Sequence, residues 1–420
     1  MRNRLLLSFA FIYLLAYKAA ATEILVPMDE TQKDHLKAYG VAYWVLQNQQ
    51  EVDWLLNYRG GSFAFVHSPK MENELSVRGV SYSVISDAQY QAIVAQISNP
   101  EVNMDVMKLE KMPKVAVYSP KTASPGEDAV TLVLTYAEIP YDVVFDEEVL
   151  DQKLLKYDWL HLHHEDFTGQ YGKSMGRGRY NQRQMEKQEA ERVAQKFNFA
   201  KVSQMKLGVA KKIKEFVAGG GFMFAMCSAT DTYDIALSAE GVDIVDAVFD
   251  GDDIDPQAQQ KLDYNKTFAF KNFIISLNSS ERGFSSIDNQ RWERNISRED
   301  DFFSLFTFSA KYDPIPSMLT QNHEKTIKGF MGQTTAFKKD QVKSEATIMG
   351  ETKAANEVRY INGTAGKGTW TFYGGHDPEA YQPRGSDYPT DLSLHPNSPG
   401  YRLILNNILF PAAKKKKQKT

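Results

Sequence analysis

From Pro113 onward the chain alternates short apolar runs with helix-patterned segments, and this rhythm constrains its fold more than any other feature. "KVAVYS", "YDVVF", "YDWLHLHH" and "FMFAM" are compact apolar stretches of the kind found in a parallel sheet covered on both faces. Between them, "GEDAVTLVLTYAEI" reads as a helix, and Val202, Met205, Val209, Ile213 and Phe216 form a stripe at helical spacing. Gly219, Gly220 and Gly221 stop that helix before the fourth strand. Such alternation implies right-handed βαβ units, an α/β fold with a parallel sheet and helices on both faces. The rhythm fails between about 241 and 350, which reads as a large insertion with strand-like pieces in "TFAFKNFIIS" and "FFSLFTFS". Strands resume at "EVRYING" and "GTWTFYGG", and "GYRLILNNILF" closes the chain as a helix.

Residues 22–112 read as a smaller N-terminal α/β unit. It has a strand at "EILVP", a helix from Thr31 to about Asn48, and two strands joined at Arg59-Gly60-Gly61-Ser62. "VSYSVIS" is a further strand, and Asp87 is the expected N-cap of the helix "DAQYQAIVAQIS". The stretch from Asn99 to Pro113 is the expected linker. Ahead of this unit, Arg2 and Arg4 precede "LLLSFAFIYLLAY" and an A-x-A pattern ending at Ala21. That is the layout of a secretory signal peptide over 1–21, implying export to the periplasm or beyond. Its apolar run falls short of the roughly 20 residues a bilayer requires, so no transmembrane segment is expected. A formal charge of −4 does not suggest a nucleic-acid partner. The basic tail 414–420 reads as a solvated end.

Cys227 is the single cysteine among 420 residues, so no internal disulfide can form. It stands between the fourth strand and a helix, where ligands of open α/β sheets bind. Ala225 and Ala229 are the small neighbours that a sharp strand-to-helix turn requires, as in a nucleophile elbow. The helix start should lower the thiol pKa and supply free N–H groups, Ser228 first, to an oxyanion. The competing reading is a small buried hydrophobe. His376 follows a strand that ends in two glycines and is the best candidate base, with Asp377 and Glu379 behind it to orient the imidazole. A second cluster, "HLHHED", places His161, His163, His164, Glu165 and Asp166 at the end of the third strand. Alternation puts His161 and His163 on one face. With His376 they could hold a divalent metal, line the substrate cleft, or serve as hydrogen-bonded structural residues. The glycine-rich "DFTGQYGKSMGRGRY" that follows reads as a mobile lid, and Gly169 or Gly172 could supply a second oxyanion donor.

The segment "KKIKEFVAGGGFMFAMCSATDTYDIA" resembles the helix–GG–strand–Cys–helix core of class I glutamine amidotransferase-like domains. "GKGTWTFYGGHDPEAY" and "PGYRLILNNILF" resemble their ThuA-like branch, where Gly-His follows the last strand. The resemblance covers roughly 113–237 and 352–411. It implies a flavodoxin-like sheet within 113–413, and a triad of Cys227, His376 and Glu379. The elbow carries alanines where the family has glycines. His-Asp-Pro-Glu is one residue longer than the family's His-Pro-Glu, which makes Asp377 the alternative to Glu379. ThuA-like members generally do not depend on a cysteine. The whole chain is also similar to exported Bacteroidota proteins often labelled asparagine synthetase B, but it lacks the leading cysteine and ATP pyrophosphatase loop of true members. The implied function is an exported, cofactor-free hydrolase of an amide or ester carbonyl in a small-molecule amide, peptide or sugar substrate. The alternatives are a ThuA-like carbohydrate-active or metal-dependent protein, and a non-catalytic binding module.

Overall fold

The computed structural model describes residues 21–120, 128–171, 173, 180–289, 294, 296–381 and 389–414. The expected signal peptide up to residue 20, Gly172 and most of the glycine-rich segment after it, and the tail from 415 lie outside the described residues.

The N-terminal unit is built on strict two-residue alternation. Strands β1 (Ala21–Val26), β2 (Val52–Leu56), β3 (Ser62–Val66), β4 (Ser83–Ser86) and β5 (Asp105–Leu109) form an antiparallel sheet in the order β4-β1-β3-β2-β5. Ile24, Trp54 and Phe63 point to one face, against the helix His35–Gln47. Leu25, Leu55 and Ala64 point to the other, against Tyr90 and Ile97 of the helix Asp87–Ser98. Two expectations change here. The linker contains β5, whose Met107 and Leu109 are buried and which pairs with β2. The helix at 87 is capped by Ser86, in a reciprocal box with Gln89, and Asp87 is its first residue.

The larger sheet begins as the alternation requires. Strands β6 (Val115–Tyr118), β7 (Asp142–Val144), β8 (Trp159–Leu162) and β9 (Phe222–Met226) pair in parallel. After the insertion's β10 (Phe302–Leu305), β11 (Thr326–Lys328), β12 (Phe337–Lys338) and β13 (Thr347–Thr352), and the expected strand β14 (Glu357–Ala365), strand β15 (Gly368–Tyr373) joins β9, again in parallel. The parallel strands therefore run β7-β6-β8-β9-β15. In chain order this is second, first, third, fourth, fifth, the flavodoxin-like arrangement. The first part of the insertion packs on one face of the sheet, with Phe268 against Trp370 and Phe270 against Phe372 of β15. The insertion's strands and β14 extend the sheet beyond β15 as an antiparallel wing, β14-β13-β10-β11, with β12 on β14.

Both faces are filled. Val115, Val117, Trp159, Phe224, Met226 and Tyr373 share one core with the N-terminal unit and the closing helix Pro399–Leu409. Ala116, Leu160, Met223, Ala225 and Phe372 share the other with the expected stripe, Val202 to Phe216, of the helix Val202–Gly219. "TFAFKNFIIS" is not a strand. The N–H groups of Phe268, Ala269 and Phe270 go to the buried carboxylate of Asp234 at 2.7, 2.8 and 3.0 Å, so this apolar run is pinned by a side chain and lacks a ladder. Among the described residues no helix is long and apolar enough to cross a membrane.

Candidate active site

In an open α/β sheet ligands bind at the carboxyl ends of the strands, where the winding changes direction. Here that place lies between β6 and β8, with β9 and β15 beside them. Four strand ends converge on it: Asp128 after β6, His163 and His164 after β8, Cys227 after β9, and His376 after β15.

Cys227 leaves β9 with φ 51° and leads into the helix Ala229–Ser238. A positive φ at a residue with a Cβ is strained by about 1–3 kcal/mol and persists only where the surroundings impose it. They do so here. The Cys227 N–H donates to Gly375 O at 3.1 Å, Ala229 N–H donates to His163 O at 2.9 Å, and Ala225 and Ala229 have no exposed surface. The turn is the elbow that the two alanines suggest.

The sulfur's surroundings differ from expectation. Cys227 is 4% exposed. The Gln333 N–H donates to Sγ at 3.4 Å, and the N–H groups of Ser228 and Thr334 face it too. These donors and the nearby His164 favour the thiolate, yet burial outweighs them and pushes the thiol pKa up. The expected lowering by the helix start is thus overcome by desolvation. Gln333 and Thr334 belong to a turn of the insertion clamped onto β15's exit. His376 N–H donates to Met331 O at 2.9 Å, and Gly375 N–H donates to Thr334 O at 2.7 Å.

The histidines form a chain. His161 Nδ1 meets Phe224 O at 3.1 Å, and its Nε2 meets Asp128 Oδ2 at 3.0 Å. His163 Nδ1 lies 3.2 Å from His161 Nε2 and 3.4 Å from Asp128 Oδ1. His163 Nε2 meets His376 Nδ1 at 2.8 Å. Asp128 also caps the helix Ala129–Tyr136, accepting from Val130 N at 2.6 Å and Thr131 N at 3.3 Å. Burial alone would raise the Asp128 pKa, but the facing His161 and His163 hold it well below the usual carboxylate range. Burial keeps His163 well below the usual imidazole range. If His163 donates from Nδ1 to Asp128, its bare Nε2 accepts the Nδ1 proton of His376. That places the His376 proton on Nδ1 and makes Nε2 its basic nitrogen.

Other expected residues have different partners. Asp377 Oδ1 accepts from Tyr401 Oη at 2.7 Å and from Glu379 N at 2.9 Å, and its Oδ2 accepts from Thr390 Oγ1 at 2.7 Å. Glu379 faces His395 Nδ1 at 3.2 Å. The carboxylate in the histidine chain is therefore Asp128, which the sequence reading missed although Asp before an apolar helical run is an N-cap signal. Asp166 closes a local turn onto Thr168 N at 2.7 Å. Gly169, at φ 85°, passes so close to the start of the helix Val202–Gly219 that a Cβ would lie 2.9 Å from Ser203 Cα. Close packing accounts for this glycine. Glu165 Oε2 accepts from His163 N at 3.2 Å. Asp231, one helical turn beyond Cys227, was also missed. Burial pushes it up to about 7, and it accepts from Thr334 Oγ1 at 3.2 Å.

Two histidine-containing groups have the geometry to hold a metal ion: His163, His164 and His376, and Asp128, His161 and His163. The expected trio of His161, His163 and His376 is thus divided between them. A third group, Asp243, Asp250 and Asp252, already surrounds Lys201 Nζ at 2.5, 3.2 and 2.5 Å.

No protein-family model matches the chain, and no curated protein matches it. Among solved structures it is similar to a cytoplasmic protein from Salmonella typhimurium, with 12% identity, TM-score 0.35, and coverage of 72% of this chain and 100% of that one. A second cytoplasmic protein, from Salmonella typhimurium LT2, gives 12% identity, TM-score 0.34 and the same coverages. Gan42B, a GH42 β-galactosidase, gives 14% identity and TM-score 0.27 over 64% of this chain and 28% of its own.

Proposed function

We propose that the chain is a hydrolase in which Cys227 attacks an amide or ester carbonyl and His376 moves the proton. The observation that carries this reading is the positive φ of Cys227, a thiol on a strained strand-to-helix turn beside a histidine chain. Because burial holds the thiol protonated, activation is by general base and not by a standing thiolate. His376 Nε2 takes the Sγ proton as sulfur bonds to the carbonyl carbon. The Ser228, Gln333 and Thr334 N–H groups stabilise negative charge as it develops. His376 then protonates the departing amine or alcohol. It next accepts a proton from the water that cleaves the thioester, and the acid product leaves with Cys227 reprotonated. Amides, peptides and acylated sugars are the substrate classes, and export to the periplasm remains part of the proposal.

The test is acylation by an activated ester, read by mass spectrometry of the intact folded chain. A single acyl group should appear on Cys227, and His376→Ala should slow its formation by about a hundredfold or more. Absence of any adduct, with the thiol labelled only after unfolding, makes Cys227 a core residue and ends this reading.

A further inference from the structure

We propose that His163, His164 and His376 form a site for a divalent transition-metal ion of the zinc class, and that the ion silences the hydrolase centre. One nitrogen from each imidazole lies within 4.8 Å of the other two. Neutral imidazoles are ligands of choice for such ions, and three of them leave a fourth position open. In tetrahedral coordination with ~2.0–2.1 Å bonds, ligand nitrogens stand about 3.3 Å apart. The His163–His376 pair, at 2.8 Å, has to open by about half an ångström to admit an ion of that geometry.

Two further observations point to a ligand. His164 Nδ1 is buried and has no hydrogen-bond partner among the described residues. A buried polar atom without a partner is unfavourable, and a metal bond satisfies it. His163 has the surroundings of a metal ligand. Its outer nitrogen faces Asp128 Oδ1 at 3.4 Å and His161 Nε2 at 3.2 Å, so the ring is oriented and Nε2 is turned inward. His163 and His164 leave β8 and His376 leaves β15, so the ligands stand on one rigid sheet.

The ion and the base compete for the same electrons. Metal binding takes the lone pair of His163 Nε2 that now receives the His376 proton. For His376 to ligate at Nδ1, the proton there moves to its own Nε2, so the ring stays neutral, its basic lone pair is used up, and the hydrogen bond that aims His376 is lost. Only this inhibitory consequence rests on the hydrolase reading; the ion-binding claim stands on the imidazoles.

The folded chain is equilibrated with Zn²⁺, desalted, and analysed for metal content and for Cys227 acylation. The expected result is about one zinc per chain, retained in Cys227→Ser, at least tenfold weaker in His164→Ala and at least a hundredfold weaker in His376→Ala. Acylation should fall at least tenfold with zinc and recover with a chelator. His164 is only half-buried, so His164→Ala carries the test if deeper variants fail to fold. Zinc content indifferent to both substitutions overturns the metal site. Zinc bound through the histidines with acylation unchanged overturns the inhibition. A thiol inert with and without zinc overturns the hydrolase reading and leaves the metal result standing.

Discussion

Removing the Asp128 carboxylate is the perturbation whose effect follows most directly from the geometry. It closes the first turn of the helix Ala129–Tyr136 through Val130 N and Thr131 N, and it faces two imidazoles at 3.0 and 3.4 Å. Asp128→Ala forfeits the cap, worth ~1 kcal/mol. It also leaves the buried rings of His161 and His163 without the acceptor they face, which costs about 1–3 kcal/mol. The two losses together come to about 2–4 kcal/mol. Asp128→Asn keeps a good capping oxygen and loses only the charge, so it should be the milder variant by ~1 kcal/mol. Urea unfolding at pH 7, compared at constant m-value, measures both. The effect has a defined pH dependence. The folded-state pKa lies below the unfolded value, so the stabilisation is fully present above roughly pH 4 and fades as pH falls toward the folded pKa. The gap between wild type and Asp128→Ala should therefore shrink in acid. A loss under about 1 kcal/mol at pH 7, or a gap that widens in acid, refutes the reasoning.

Two other outcomes follow from close packing and burial. A Cβ at Gly332 would lie 2.8 Å from the carbonyl carbon of Gly375 and from His376 N. Gly332→Ala should thus lower stability by about 1–3 kcal/mol and slow Cys227 acylation, whereas unchanged acylation means the clamp does not position His376. Asp231 titrates near 7 in the folded chain against an ordinary value near 3.8, so the folded state binds the extra proton. Its contribution falls as pH rises from about 4 through about 7, and Asp231→Asn should abolish a decline of ~3 kcal/mol over that window. An unchanged slope in denaturation midpoints across those pH values discards this assignment.

The parallel half of the sheet was legible because its signals are local. Each strand is a short apolar run, all but the edge strand β7 are buried on both faces, each is followed by a helix of its own periodicity, and Gly220 at φ 122° ends the longest stripe where the glycines predict. What escaped depends on pairing across long distances. The strand β5 is five residues whose apolar run is broken by Asp105 and Lys108, and nothing nearby announces that Val52–Leu56 is its partner. The run 267–276 carries the composition of a strand, but Asp234, more than thirty residues earlier, takes the N–H groups of Phe268, Ala269 and Phe270. Composition cannot distinguish an apolar segment that joins a sheet from one tied down by a distant carboxylate.

The same division separates what was readable in the site. Cys227 and His376 were identifiable because strand ends followed by small residues mark the edge where an α/β sheet does chemistry. The residues that govern those two groups come from elsewhere in the chain. Asp377 and Glu379 follow His376 directly, yet Tyr401, Thr390 and His395 engage them, while the carboxylate facing the histidine chain enters after the first parallel strand. Gln333 and Thr334, whose N–H groups surround the sulfur, come from an insertion that the alternation of strands and helices would dismiss as a digression. A triad read from adjacency assigns the orienting role to the nearest acid. In a parallel sheet, however, the nearest neighbours of a strand-end residue are the ends of the flanking strands, and β6, β8, β9 and β15 lie side by side. The acid that can orient an imidazole there is the one whose strand order places it across the cleft, and that order becomes visible only once the sheet has formed.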